Sequence, residues 1–198
     1  MIPAWLLGCA APPCPCDAIA LPAGPVTDAD ALAALVAEVG RAAYPALAGV
    51  DVGIAPVDGL AYLRAWTELD TVLLDDGLAR TYTVQYDPAL LADPPAPDAL
   101  AALLVHELGH VSDYVAMDSE ALAAFAVWYG TQDPLTSESL AAYERATDAQ
   151  ALDRGCADGL AAARDWIYAH ASPDVLAEKQ HNYYTPDEIA AYPAVCGP

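Results

Sequence analysis

His106-Glu107-Leu108-Gly109-His110 is an H-E-x-x-H pattern set inside the apolar run Leu100 to Val115. On a helix, positions four apart lie one above the other on the same face, so His106 and His110 can present two imidazole nitrogens to one metal ion. Catalytic zinc takes three protein ligands and keeps a fourth position open, so a third ligand is required. Glu144 is the candidate. It falls in a second helical stretch, Glu138 to Arg154, with Asp148 one turn beyond it on the same face. Leu140 and Ala151 share that face, and two carboxylates on the apolar side of a helix need a partner, here zinc. Thr147 falls off the ligand face by the same count, so Thr147→Ala is expected to matter little.

Upstream, Asp93-Pro94-Pro95-Ala96-Pro97 reads as a rigid connector leading to Asp98 as the N-cap of the motif helix. Before it the pattern is β: Val50, Val52 and Ile54 alternate, as do Tyr82, Val84 and Tyr86, and Asp76-Gly77 after Val72-Leu73-Leu74 signals a hairpin. Thr27 with Asp30 makes a capping-box-like start for a helix whose apolar face is Leu32, Leu35, Val36 and Val39, with Gly40 and Pro45 bracketing its end. Downstream the chain reads as helical to its end. Ser119 and Ser137 are N-caps, Gly130 and Gly155 close the helices they begin, and a further helix covers about 158–171. Ser172-Pro173 and Thr185-Pro186 each place Pro at the first helical position, the second with Glu188 completing a capping box. The order predicts an α+β fold, helix-dominated, with a small antiparallel sheet preceding the motif helix. Residues 27–198 read as a single domain behind a Pro- and Cys-rich tether over 1–26.

The 198 residues suffice to bury a core around a cleft. A formal charge of −21, with Lys179 as the one lysine, argues against nucleic acid and anionic membrane surfaces as partners, because both would be repelled. Leu6-Leu7-Gly8-Cys9 resembles the end of a bacterial lipoprotein signal, in which Cys9 would carry lipid; an apolar tail or a mis-assigned start is the alternative. With Cys9 set aside, Cys14, Cys16, Cys156 and Cys196 are even in number, as in an oxidised protein. Cys14 and Cys16 are poorly placed to bridge each other, so each is expected to pair with Cys156 or Cys196; the rival is a C-x-C metal pair, which lacks the usual zinc spacing. The expected location is extracytoplasmic, secreted or lipid-anchored.

Zinc lowers the pKa of its water from about 15.7 to near 7 and polarises a carbonyl, and the Glu between the two histidines stands where it can take the proton. Glu107 is thus a general base and not a ligand. H-E-L-G-H followed by Glu144-x-x-x-Asp148 resembles the gluzincin branch of the zincin metallopeptidases. The resemblance covers residues 106–148 and implies His106, His110 and Glu144 as zinc ligands, Glu107 as base, and Asp148 as the group that orients a ligating histidine. Tyr143-Glu144-Arg145-Ala146-Thr147-Asp148 and Trp166-Ile167-Tyr168 are also similar to secreted bacterial proteins, a likeness that implies no activity. The metzincin extension is absent, since Asp113 and Ala116 stand where Gly and His are needed. Asp113 is on the histidine face but about 10 Å along the axis from His106, too far for bonds near 2 Å. In such enzymes a Tyr or His commonly faces the developing oxyanion. His181-Asn182-Tyr183-Tyr184 lies in a loop ahead of a capped helix and could fold back to supply it, or be a packing cluster. Three functions follow: a zinc metallopeptidase acting on peptide or protein, a zinc-stabilised binding module, and a zinc hydrolase of other amides or esters. Glu107 favours an enzyme, because a structural site gains nothing from it.

Overall fold

From Ala99 to Val111 every residue of the motif helix is buried, the two histidines and Glu107 included. A helix with no polar face belongs in the middle of a core, and the other elements are arranged around this one. The computed structural model describes residues 14–59, 61–68 and 70–193. Helix α1 (Ala29–Ala43) leads to strands β1 (Asp51–Pro56), β2 (Leu63–Thr67) and β3 (Thr81–Tyr86). Helices α2 (Pro88–Ala92), α3 (Pro97–Ala116), α4 (Ser119–Gly130), α5 (Glu138–Asp153), α6 (Ala157–His170), α7 (Pro173–Asn182) and α8 (Pro186–Ala190) follow. Helix α3 carries the motif and is packed by α1, α5, α6 and β2. The architecture is α+β with helices dominant.

The sheet differs from the expected antiparallel one. Its order is β1-β3-β2, with β1 parallel and β2 antiparallel to the central β3. Strand β3 carries Tyr82, Val84 and Tyr86 into the core as their alternation predicts. Asp76-Gly77 makes no hairpin; residues 77–79 form a 3-10 turn that Asp76 caps through Leu78 N–H. Gly77 is there because a Cβ would lie 2.1 Å from the Val115 carbonyl oxygen. The strand pairing with β3 is instead Leu63–Thr67, which β2 places at the sheet edge beside α3.

Several helix starts shift by a residue or two, and α1 and α4 gain a carboxylate cap by it. Asp28, not Thr27, caps α1; Asp118, not Ser119, caps α4; and α3 begins at Pro97 behind Ala96, leaving Asp98 in the first turn. An ionised carboxylate accepts the orphan N–H and favours the positive helix end, an advantage over the neighbouring hydroxyl. Ser137, Ser172 and Thr185 cap as expected, the last in a complete box with Glu188. Gly40 lies inside α1 and does not end it. Gly155 closes α5 with φ of 85°, the left-handed turn that favours glycine.

Cys16 and Cys156 form a disulfide with Cα atoms 5.5 Å apart, and Cys14 is disulfide-bonded as well. Such bonds persist in oxidising compartments. The bridge fastens the segment before α1 to the start of α6, beside a backbone bond from Cys16 N–H to the Arg154 carbonyl. Cys9 and Cys196, and with them the lipidation reading, lie outside the described residues. Among the described residues no helix is long and apolar enough to cross a membrane.

Candidate metal centre

Helix α3 offers His106 and His110 from one face, and α5 crosses that face with Glu144 turned inward. The crossing is close because position 109 is glycine: a Cβ there would meet Thr147 Cγ2 at 3.0 Å and the Tyr44 hydroxyl at 3.1 Å. Tyr44 uses that hydroxyl to bond the Val105 carbonyl at 2.8 Å. His106, His110 and Glu144, all buried, form a group that could hold a metal ion.

The donor atoms form a small triangle. His106 Nε2 and His110 Nε2 are 3.1 Å apart, and Glu144 Oε2 is 3.3 Å from each. Tetrahedral zinc with bonds near 2.0–2.1 Å sets neighbouring donors about 3.3 Å apart, so the triangle has the size of one face of that polyhedron. Protonation states agree. Asp148 Oδ1 lies 2.9 Å from His106 Nδ1, and an ionised carboxylate only accepts, so Nδ1 carries the proton and a neutral ring turns the Nε2 lone pair toward the triangle. His110 Nδ1 is 2.9 Å from the Tyr143 hydroxyl. Glu144 Oε1 accepts from the Tyr129 hydroxyl at 2.8 Å, whereas Oε2 is buried without an aligned hydrogen bond. Three electron-pair acceptors converging in a buried space call for a cation.

Without a metal, a proton serves. Burial opposes a charge on His106, but its bonds to Asp148 and Glu144 outweigh that and raise it to about 9. Burial likewise opposes ionisation of Glu144, yet His110 and His106 hold it well below the ordinary carboxylate value. Asp148 is lowered to about 2: burial raises it, and the Arg164 guanidinium and His106 more than reverse this. Arg164 Nη2 donates to both Asp148 oxygens at 2.7 and 2.9 Å, and Tyr184 N–H donates to Oδ2 at 3.0 Å.

Glu107 stands apart from the triangle. Its Oε2 accepts from Ala65 N–H of β2 at 2.6 Å, which fixes the carboxylate against the sheet edge. Glu107, His110 and Glu144 line one cavity of about 530 Å³, so the centre has an open side. Tyr183 also lines it, with its ring 5.5 Å from that of His106, and burial raises its phenol well above the ordinary value.

The other expected positions are divided. His181 and Asn182 belong to α7 and not to a loop, and His181 is not among the residues lining the cavity. The Tyr184 ring packs against Tyr192 and Arg145, and only its backbone serves the centre, the N–H donating to Asp148 and the carbonyl accepting from Arg164 Nε at 3.3 Å. Asp113 accepts from Gln150 and is no part of the cluster. Thr147 is buried at 1% exposure with Oγ1 3.5 Å from His110 Nδ1; three residues after Glu144, it shares the inward side of α5 and is not the indifferent position expected. Arg164, Tyr143, Tyr129 and the Ala65 amide are parts of the site that sequence reasoning missed. Arg164 had a signal, since a chain with seven Lys and Arg in total has few cations to answer a buried carboxylate. No family model, curated protein or solved structure matches this chain.

Proposed function

We propose that this chain is an extracytoplasmic zinc-dependent hydrolase that cleaves peptide bonds. The observation that carries the reading is the convergence of His106 Nε2, His110 Nε2 and Glu144 Oε2, which makes no aligned hydrogen bond, at the edge of a cavity, with a second carboxylate, Glu107, beside them and not among them. Two imidazoles and one carboxylate suit zinc with a position left open. Zinc bound there supplies Lewis acidity, polarising a substrate carbonyl and acidifying water.

The chain's own residues do the rest. Asp148 and Tyr143 fix the two imidazole rings, and Tyr129 holds Glu144 Oε1 so that Oε2 faces the imidazoles. Ala65 N–H occupies Glu107 Oε2, which leaves Oε1 to accept a proton and later return it to the departing amine. Tyr183, kept protonated, accepts from Lys179 Nζ at 3.4 Å and has its own O–H to give to a developing oxyanion.

Zinc should bind at one equivalent per chain, and His106→Ala should abolish tight binding; an unchanged stoichiometry in that variant rules the site out. Glu107→Gln should keep its zinc and its fold, because the amide oxygen can still accept from Ala65 N–H. Peptide hydrolysis should fall by a factor of roughly 10² to 10⁴, about 3 to 5 kcal/mol. If the zinc-loaded wild type cleaves no peptide, amide or ester faster than Glu107→Gln, a zinc-stabilised binding module is the better reading.

A further inference from the structure

Lys179 is the one lysine of a chain with net charge −21, and it is buried, at 9% exposure, on the wall of the cavity beside the candidate centre. Buried lysines are rare unless well paired, and this one is not. Its ammonium sits over the Tyr183 ring at 4.6 Å, with the Tyr183 hydroxyl at 3.4 Å and Glu178 Oε1 at 3.3 Å. Charge-assisted bonds normally run about 2.7–2.9 Å. Among the described residues two acceptors therefore meet three N–H donors, both at long range. Glu178 is the more exposed partner, with 28% of its side chain accessible against 11% for Lys179.

The rest of the wall is largely apolar, and the guanidinium of its other cation, Arg64, is engaged by the Gln85 side chain and the Trp66 ring. Leu122, Phe125 and Tyr129 from α4, Leu140 from α5 and Leu63 from β2 face the same space. Its volume, about 530 Å³, is at the lower end of small-ligand pockets, enough for a residue or two of peptide. Long-range charge repels an anionic substrate from this protein, so an anion is accepted only where a local cation is built to receive it.

We propose, on the basis of the hydrolase reading above, that Lys179 is a specificity residue that binds the C-terminal carboxylate of the substrate. The apolar wall receives the side chain of that same terminal residue. An apolar side chain and a carboxylate on one residue describe a free peptide C-terminus and not an internal acidic residue. Glu178 holds the ammonium when the cavity is empty and competes with the incoming carboxylate.

The test uses the zinc-loaded full chain and peptides of one sequence ending in Leu or Phe, as free acid and as C-terminal amide. A third, amidated peptide carries Glu at the last position. The wild type should favour the free acid about tenfold or more in kcat/KM, mainly through KM, as expected for loss of a hydrogen bond to a charged group. Lys179→Met should bring the acid-to-amide ratio toward one, Lys179→Arg should retain most of it, and Glu178→Gln should raise it. If Lys179→Met does not fold, the other two variants still decide. Equal cleavage of acid and amide, preference for the Glu peptide, or a ratio insensitive to all three variants overturns the proposal. Should the chain cleave nothing, the hydrolase reading fails and binding is read instead. N-acetylphenylalanine should then bind the metal-free chain about tenfold tighter than its amide in calorimetric titration, with the difference lost in Lys179→Met; equal binding overturns the recognition role separately.

Discussion

Asp148 accepts from Arg164 and from the Tyr184 amide while its Oδ1 also meets His106 Nδ1, and it is 0% exposed. A carboxylate so placed is stable only while its cation stays, because removing one partner of a buried pair leaves an uncompensated charge, at a cost of about 3 to 5 kcal/mol. Arg164→Met should therefore lower the unfolding free energy by that amount. It should also weaken zinc binding about 10- to 100-fold, since a protonated Asp148 no longer holds the His106 ring. Denaturant titration and chelator competition read the two effects, and unchanged zinc affinity would show that Asp148 needs no counter-ion to orient the ring. The histidines, Glu144 and Asp148 were legible in the sequence because helical spacing puts them on shared faces. Arg164, Tyr143 and Tyr129 were not. Each reaches the site from a different turn or helix, and only the packing of α4, α5 and α6 around α3 creates the contact. Thr147 corrects the count: three residues after Glu144 it lies on the same buried side of α5, and the close approach at Gly109 brings it against His110.

At the level of elements, glycines report where helices and loops approach α3. A Cβ on Gly159 would lie 2.7 Å from the Asp98 carbonyl oxygen and 3.1 Å from Ala102 Cβ, so α6 can lie on α3 only with glycine there. Gly159→Ala should cost about 1 to 3 kcal/mol through overpacking and lower the melting temperature. Gly40 makes the opposite case inside α1, where an added Cβ meets Leu108 Cδ1 at an ordinary 3.7 Å. Gly40→Ala should stabilise by about 0.5 to 1 kcal/mol, the usual helix-interior gain. The pair is checked by thermal unfolding of both variants; a Gly159→Ala variant as stable as the wild type would contradict the packing of α6 on α3, and a destabilised Gly40→Ala would contradict the free space found there. The same physics explains the misread sheet. Asp-Gly before an alternating run usually marks a hairpin, but Gly77 answers the backbone of Val115, a partner remote in sequence. The helices were easier to read because caps and periodicity are local, whereas the parallel pairing of β1 with β3 depends on the whole intervening chain.

For the molecule as a whole, the charge of −21 works against compactness, because like charges crowd together on folding. The Cys16–Cys156 bridge acts on the other side of the balance by restricting the unfolded chain over a sequence separation of 140. The chain-entropy relation gives about 5 kcal/mol for a loop of that length, and native bridges in secreted domains typically deliver about 2 to 5 kcal/mol. Cys156 also lies in the short turn between α5, which carries Glu144, and α6, which carries Arg164, so the bridge fastens that part of the site's framework. The donor triangle itself is set by α3 and α5, which the α3 core holds without it. Cys16→Ser with Cys156→Ser should therefore lower the unfolding free energy by about 2 to 5 kcal/mol, read as a lower denaturant midpoint. Zinc stoichiometry should stay at one per chain under native conditions. The loss of stability should be more damaging at low ionic strength, where the repulsion is least screened, and added salt should restore part of the midpoint in wild type and variant alike. A double variant as stable as the wild type would show that the segment before α1 is held by its packing and the Cys14 disulfide without help from this bridge, and loss of zinc before unfolding would show that the bridge holds the α5–α6 turn in place for the centre.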